Sequence, residues 1–482
     1  MNYLERIYKK ANDVSPAVKA SFWFIVSNIV LKGISFITTP IFTRILEVKD
    51  YGTTSIYITW EGIISIFATL NLAGGVYNVA MTRYPEDIDG YTSSMYAIET
   101  LISSVIYGSL LVINKIYPNI FDLSNILLIF MWLQSLTNSF TSFWLMRHRF
   151  NYKYKPVVTY TIINALVSPM FAIITILQFP DNAAISKIVG SSIFGIAFGF
   201  GICIKGFIKG KKLYSKEYWL YALKFNIPLI PHYLSSVLLN GADRLMIDRL
   251  ISRVNAGIYS IANSVSGVLT IVTSAINSTL IPETLKAVKS RDFSGLRKNI
   301  SLYLSCVSVI CITIMMFGRE AIILLASKKY VSAIPYVPPL LISTFFLFAT
   351  GIVGNIIFYY EKTWMMSFTT IVTAMANIIL NYFALQKIGS LAASYTTLIT
   401  SVMGFILTYF FARSCEKEVK QIINLRYFLF NVMILCAFAI CSISCEKSFV
   451  IRCVVMICFI SILWYKRSAI FKNIDKTGEN LK

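Results

Sequence analysis

The chain has 482 residues, of which 56% are hydrophobic and only 14% charged, with a mean hydropathy of +0.67. Soluble domains average about 25% charged residues, so a soluble fold of this composition would leave too much apolar surface in water. The net charge of +21 would raise nucleic acid as a partner for a soluble protein, but the basic residues here lie between apolar runs, where membrane topology accounts for them and no nucleic acid is needed.

A helix needs about 20 apolar residues to cross roughly 30 Å of hydrocarbon. On that measure the sequence predicts about 14 spans. They cover residues 22–42, 55–74, 94–113, 125–144, 157–177 and 185–204, then 227–247, 256–281, 300–317, 337–358, 365–385 and 391–411, and last 427–444 and 449–465. Arg6, Lys9, Lys10 and Lys19 precede the first run, which is too long for a cleaved signal peptide and reads as a span whose N-terminus stays in the cytoplasm. Counted on alternate sides, the segments assigned to the cytoplasm carry more than twice as many Lys and Arg as the opposite loops. That asymmetry predicts a multi-pass protein with both termini cytoplasmic.

Residues 205–224 form the most basic stretch and separate the first six spans from the next six, with Tyr218, Trp219 and Tyr221 suited to a membrane interface. Three segments are expected: an N-terminal lobe at 1–214, a C-terminal lobe at 215–412, and two additional helices with a tail at 413–482. A repeat supports the two lobes. Arg44 through Gly52 and Arg249 through Gly257 share an Arg, an apolar pair, five intervening residues and a Gly, and Ser55-Ile56 matches Ser260-Ile261 at the same offset. Both segments join an odd span to an even one, the arrangement of a parallel repeat with a pseudo-twofold axis along the membrane normal. Ala183-Ala184 and Ala392-Ala393 give a fainter echo. The nine cysteines are odd in number and mostly inside apolar runs, with no paired metal spacing, so they read as small buried hydrophobes; no metal is expected.

Lys32-Gly-Ile-Ser-Phe-Ile-Thr-Thr-Pro40, running into Thr43-Arg44-Ile45-Leu46 and Asp50-Tyr51-Gly52, resembles the start of the polysaccharide-transporter, or O-antigen flippase, branch of the multidrug/oligosaccharidyl-lipid/polysaccharide (MOP) exporter superfamily. Pro228 to Pro231 with Ala242-Asp243-Arg244 and Gly257 to Ser260 is similar to the same family, as is Asn377 to Asn381 followed by Gly389 and Ala392-Ala393-Ser394. The resemblance covers roughly residues 17 to 412 and implies two six-helix lobes with alternating access. It implies as cargo an undecaprenyl-diphosphate-linked oligosaccharide, moved from the cytoplasmic to the outer leaflet, with membrane lipids around the protein. A polysaccharide polymerase and chain-length machinery are the implied protein partners, and no cofactor is implied. O-antigen, capsule and teichoic-type polymers all remain open, and the last two spans lie outside the family's core pattern.

Lys32 lies near the middle of a span, where a lysine costs roughly 2.5–3.5 kcal/mol on insertion scales. It either faces a watery cavity, where it would meet the diphosphate, or pairs with Glu61 on the second span. Arg244 and Asp248 are four apart on one helical face and are expected to form a salt bridge. If functional, Arg244 and Arg249 would guard the outward end of the cavity. Arg44 and Arg249 are repeat-related, which points to a shared structural role at corresponding outer turns. Glu61, Glu99, Asp243 and Asp248 are the carboxylates that an ion-coupled cycle would use. Arg147, His148, Arg149, Lys153 and Lys155 form a basic patch explained by topology, which would also attract anionic headgroups. His232 follows Pro231 and reads as a core histidine at a bend.

Short outer loops, only two histidines and no Gly-rich phosphate loop argue against a polymerase or glycosyltransferase. A cation-coupled multidrug exporter is the nearer alternative, and Lys32 with the arginines favours an anionic cargo over it. Prolines 40, 169, 228, 231 and 282 argue for bent helices around a cavity rather than a scaffold.

Overall fold

A computed structural model describes residues 16–118, 120–416, 419–446 and 448–461, which form α-helices and short 3-10 turns with no strand. Arg6, Lys9, Lys10 and the end of the last predicted span lie outside the described residues.

In the first part of the chain, α1 (Pro16–Ile45), α2 (Val48–Thr69), the short α3 (Gly75–Arg83), α4 (Ile88–Ile116), α5 (Asn125–Phe150), α6 (Tyr154–Gln178) and α7 (Ala183–Gly210) lead to a second short helix, α8 (Lys216–Asn226). There follow α9 (Ile230–Leu250), α10 (Arg253–Ser290), α11 (Ser294–Met316), the short α12 (Gly318–Ala326), α13 (Val337–Tyr359), α14 (Thr363–Ile388) and α15 (Ala392–Cys415). A single turn, α16 (Val419–Ile422), precedes α17 (Leu425–Ser444) and α18 (Phe449–Ser461). Every predicted span overlaps a helix over the described residues, the last of them a short one. Ten helices have the length and apolarity of a span over the described residues, and α1, α2, α9 and α18 coincide with the other four predicted spans. The protein is an all-α, multi-pass membrane protein.

The chain divides into two compact units, Met1–Leu234 and Ser235–Lys482. The division falls later than residue 214, because the amphipathic α8 packs into the first unit. Its Asn226 is fully buried and donates to the carbonyls of Leu70 and Asn71, both at 3.0 Å. Those two residues hold left-handed backbone after α2; Asn226 gives the Leu70 carbonyl a donor and the Asn71 carbonyl a second one beside the Gly74 N–H at 2.9 Å. Trp219 donates to the Ser94 hydroxyl at 2.9 Å, and Tyr218 donates to Asp87 at 2.7 Å. Burial and that carboxylate push the Tyr218 phenol up to about 12. Close helix approach in this unit depends on small residues along α7. A side chain at Gly199 would meet the Thr137 carbonyl oxygen at 2.5 Å, and one at Gly190 the Ala172 Cα at 2.7 Å. Small residues are what allow spanning helices to pack without a hydrophobic driving force between them.

In the second unit α13 is the central helix, buried from Val337 through Phe346 and packed on α10 and α15. The last two helices belong to this unit rather than standing apart. Phe428 of α17 stacks on Phe405 and Phe345, with ring centroids 4.6 Å and 5.6 Å apart. Arg452 of α18 is 2% exposed and donates to both oxygens of Glu320 on α12, at 2.7 and 2.6 Å, and to the Met316 carbonyl at 2.5 Å.

Candidate ion and cargo sites

The richest polar cluster of the second unit centres on Asp243, which is 5% exposed in α9. Tyr259 of α10 donates to its Oδ2 at 2.6 Å, Thr397 of α15 to the same oxygen at 2.9 Å, and Asn381 of α14 to its Oδ1 at 2.5 Å. Asn381 also donates to Asn377 at 3.1 Å and accepts from Thr396 at 2.5 Å. A buried carboxylate is tolerable where donors surround it. Here every donor is neutral, so one negative charge sits among the oxygens of Tyr259, Asn377, Asn381, Thr396 and Thr397. A carboxylate among neutral oxygens is the type of ligand that hard cations take. Among the described residues no group of three or more His, Cys, Asp or Glu is placed to hold a metal ion. Asp243 had been singled out from sequence. Tyr259, Asn377 and Asn381 lie in the sequence patches that resemble the family, but nothing in the sequence joins them to Asp243, and Thr396 and Thr397 carry no sequence signal.

Asp248, one turn further along α9, does not pair with Arg244. It accepts two hydrogen bonds from Arg253, at 2.8 and 2.7 Å, because the turn into α10 folds Arg253 back and lets its planar fork grip both oxygens. Asp248 is thus a structural partner at a helix end. The Arg244 charge acts on Asp243 instead, and its Nε is buried without a hydrogen-bond partner among the described residues. Arg249 and Arg44 are exposed in the last turns of α9 and α1, where cations complement the helix dipole, and Arg44 reaches the Pro40 carbonyl at 3.4 Å.

In the first unit a polar seam runs along α5. Gln134 accepts from Tyr57 at 3.0 Å and from Ser192 at 3.1 Å, and Ser135 bonds Tyr107 at 2.8 Å. One turn on, Asn138 faces Glu61 of α2 and Ser139 faces Glu99 of α4. Glu99 is completely buried. Lys32 is exposed on α1 and makes no ion pair with Glu61 among the described residues, so the pairing alternative is not realised. Lys187 of α7 was missed as a site residue: it donates to Thr54 at 3.3 Å and lies over the Phe42 and Tyr51 rings at 4.8 and 4.6 Å. In the basic patch, Arg147 pairs with Asp89, Arg149 lies 5.8 Å from the Phe24 ring, and Lys153 is exposed at the start of α6. His232 has a buried Nδ1 with no partner among the described residues.

A family model described as polysaccharide biosynthesis protein matches residues 17–288, more than half of the chain. A protein of the Lsg locus of Haemophilus influenzae is 23% identical over 361 residues, covering 72% of this chain and 86% of that protein. A second protein of the same organism, described as an uncharacterized membrane protein, is 23% identical over 380 residues, 74% of this chain and 88% of its own. Among solved structures, the lipid II flippase MurJ in an inward closed conformation shares the fold with a TM-score of 0.58 and 17% identity, over 92% of this chain and 100% of that one. A MOP superfamily transporter from Pyrococcus furiosus follows at 0.54 and 12%, over 84% and 96%. The chain belongs to the polysaccharide biosynthesis protein family, and its fold is the one seen in these solved flippase and transporter structures.

Proposed function

We propose that this protein is a flippase that moves undecaprenyl-diphosphate-linked oligosaccharide repeat units, of O-antigen or capsular type, from the cytoplasmic to the outer leaflet of a bacterial plasma membrane. The observation that carries this reading is Lys32. It is a cation near the middle of a spanning helix, exposed and unpaired with Glu61, in a chain whose family is polysaccharide biosynthesis. An intramembrane lysine is expensive unless it serves a cargo or a water-filled path, and a diphosphate is the cargo that a cation suits. Asp243 in its neutral oxygen cradle is the ion-coupling group, and Arg244 beside it adds a second cation toward an anionic headgroup. The cycle is alternating access, with the cargo's bonds left intact, and a polysaccharide polymerase and its chain-length machinery act on the product.

The test is a strain lacking this gene. Completed lipid-linked repeat units should accumulate while surface polysaccharide disappears, and wild type but not Lys32→Ala should reverse both. Normal surface polysaccharide with no accumulated units would overturn the reading. It would favour a cation-coupled drug exporter, whose fold is represented by the Vibrio cholerae MATE transporter VcmN at a TM-score of 0.53.

A further inference from the structure

Two carboxylates are buried in spanning helices, and their surroundings differ. Asp243 has a ring of oxygens and three donors. Glu99 is 0% exposed, and no described donor makes a hydrogen bond to either of its oxygens. Ser139 from α5 faces it, and Cys203 from α7 and Tyr96 from its own helix lie within its electrostatic reach, with Phe140 packed on Tyr96 at a ring separation of 4.6 Å. No described basic residue pairs with it: Arg147, at the end of α5, is taken by Asp89. Glu61 lies on another side of α5, against Asn138.

An ionised carboxylate in such a place is stable only with a counter-charge on it. A sodium ion needs several oxygen ligands, as any hard cation does, and beyond the carboxylate this pocket offers the Ser139 hydroxyl and that of Tyr96, which is turned to the Phe140 carbonyl at 3.4 Å. A proton needs no cradle, and a protonated carboxyl gains a donor that Ser139 can accept. We infer that Glu99 is a proton-binding site of the N-terminal unit, distinct from the Asp243 cradle. Binding is the addition of a proton from water to one carboxylate oxygen, and release is its return to water. Because the group is wholly enclosed between α4, α5 and α7, exchange requires that seam to open. Loading and unloading are therefore tied to a conformational change of the unit.

The experiment uses full-length protein in lipid nanodiscs without cargo, so its outcome is independent of which molecule is transported. Infrared difference spectra between about pH 5 and about pH 9 should show the carbonyl band of a protonated carboxyl appearing and vanishing. Glu99→Gln should remove that band, and Glu99→Asp should retain it at a shifted position. Replacing sodium by potassium at constant pH should leave it unchanged. A band assigned to Glu99 that persists across the whole range would mean a permanently neutral structural acid and would overturn the proposal. So would a band that survives Glu99→Gln, or one displaced by sodium. Glu99→Gln is close to isosteric, and a thermal melt matching wild type separates these outcomes from misfolding.

Discussion

At Asp243, charge and stability are separable. The carboxylate is held by neutral donors only, so Asp243→Asn keeps the shape and most hydrogen bonds while deleting the charge. We expect folded protein with a melting temperature close to wild type, yet no restoration of surface polysaccharide in the deletion strain. Asp243→Leu, which strands Tyr259, Asn381 and Thr397, should cost about 3 kcal/mol and appear as a lowered thermal melt. Single residues were legible in the sequence where an ionisable group interrupts a long apolar run, as with Lys32, Glu61, Glu99 and Asp243. Partnerships were not. Asp248 reads as the i,i+4 partner of Arg244 on a helical wheel, and only the turn between α9 and α10 brings Arg253 onto it. Lys187 sits near a helix start and reads as an interfacial charge. Its enclosure depends on Phe42, Tyr51 and Thr54, which come from other helices.

Among the elements, α18 is fastened to α12 by the Arg452–Glu320 pair, and Arg319 of α12 also pairs with Glu446 in the turn before α18 at 3.5 Å. Hydrogen bonds from Arg452 hold the Glu320 carboxyl below the usual carboxylate range. A group with a depressed folded value contributes stability above its unfolded pKa of about 4.3 and loses that contribution as pH falls through the folded value. Acidification below about pH 4 should therefore loosen α17 and α18 before the rest of the second unit, read as faster hydrogen exchange in residues 425–461. Glu320→Gln should show the same loosening at neutral pH and abolish its pH dependence, because it leaves a buried guanidinium without its counter-charge. In the first unit, Gly199→Leu would force a side chain into the Thr137 backbone and separate α7 from α5. A loss of roughly 1–3 kcal/mol is expected from such overpacking, measured as a drop in thermal unfolding temperature in detergent.

For the molecule as a whole, the positive-inside count predicts that both termini lie in the cytoplasm. Green fluorescent protein fused to the C-terminus should then be bright and alkaline phosphatase fused there inactive; the converse would reverse the orientation. The sequence by itself determined the solvent and the class of fold. A helix crossing lipid must satisfy every backbone group within one continuous apolar segment, so span positions are written locally in composition and length. It also showed the repeat and the ionisable residues within spans. The tertiary structure alone decided which of these have partners. It assigned α8 to the first unit through Asn226, and α17 and α18 to the second through Phe428 and Arg452. It surrounded Asp243 with oxygens while leaving Glu99 bare. These contacts join residues far apart in sequence, and their energies depend on which helix faces meet, which no local periodicity specifies.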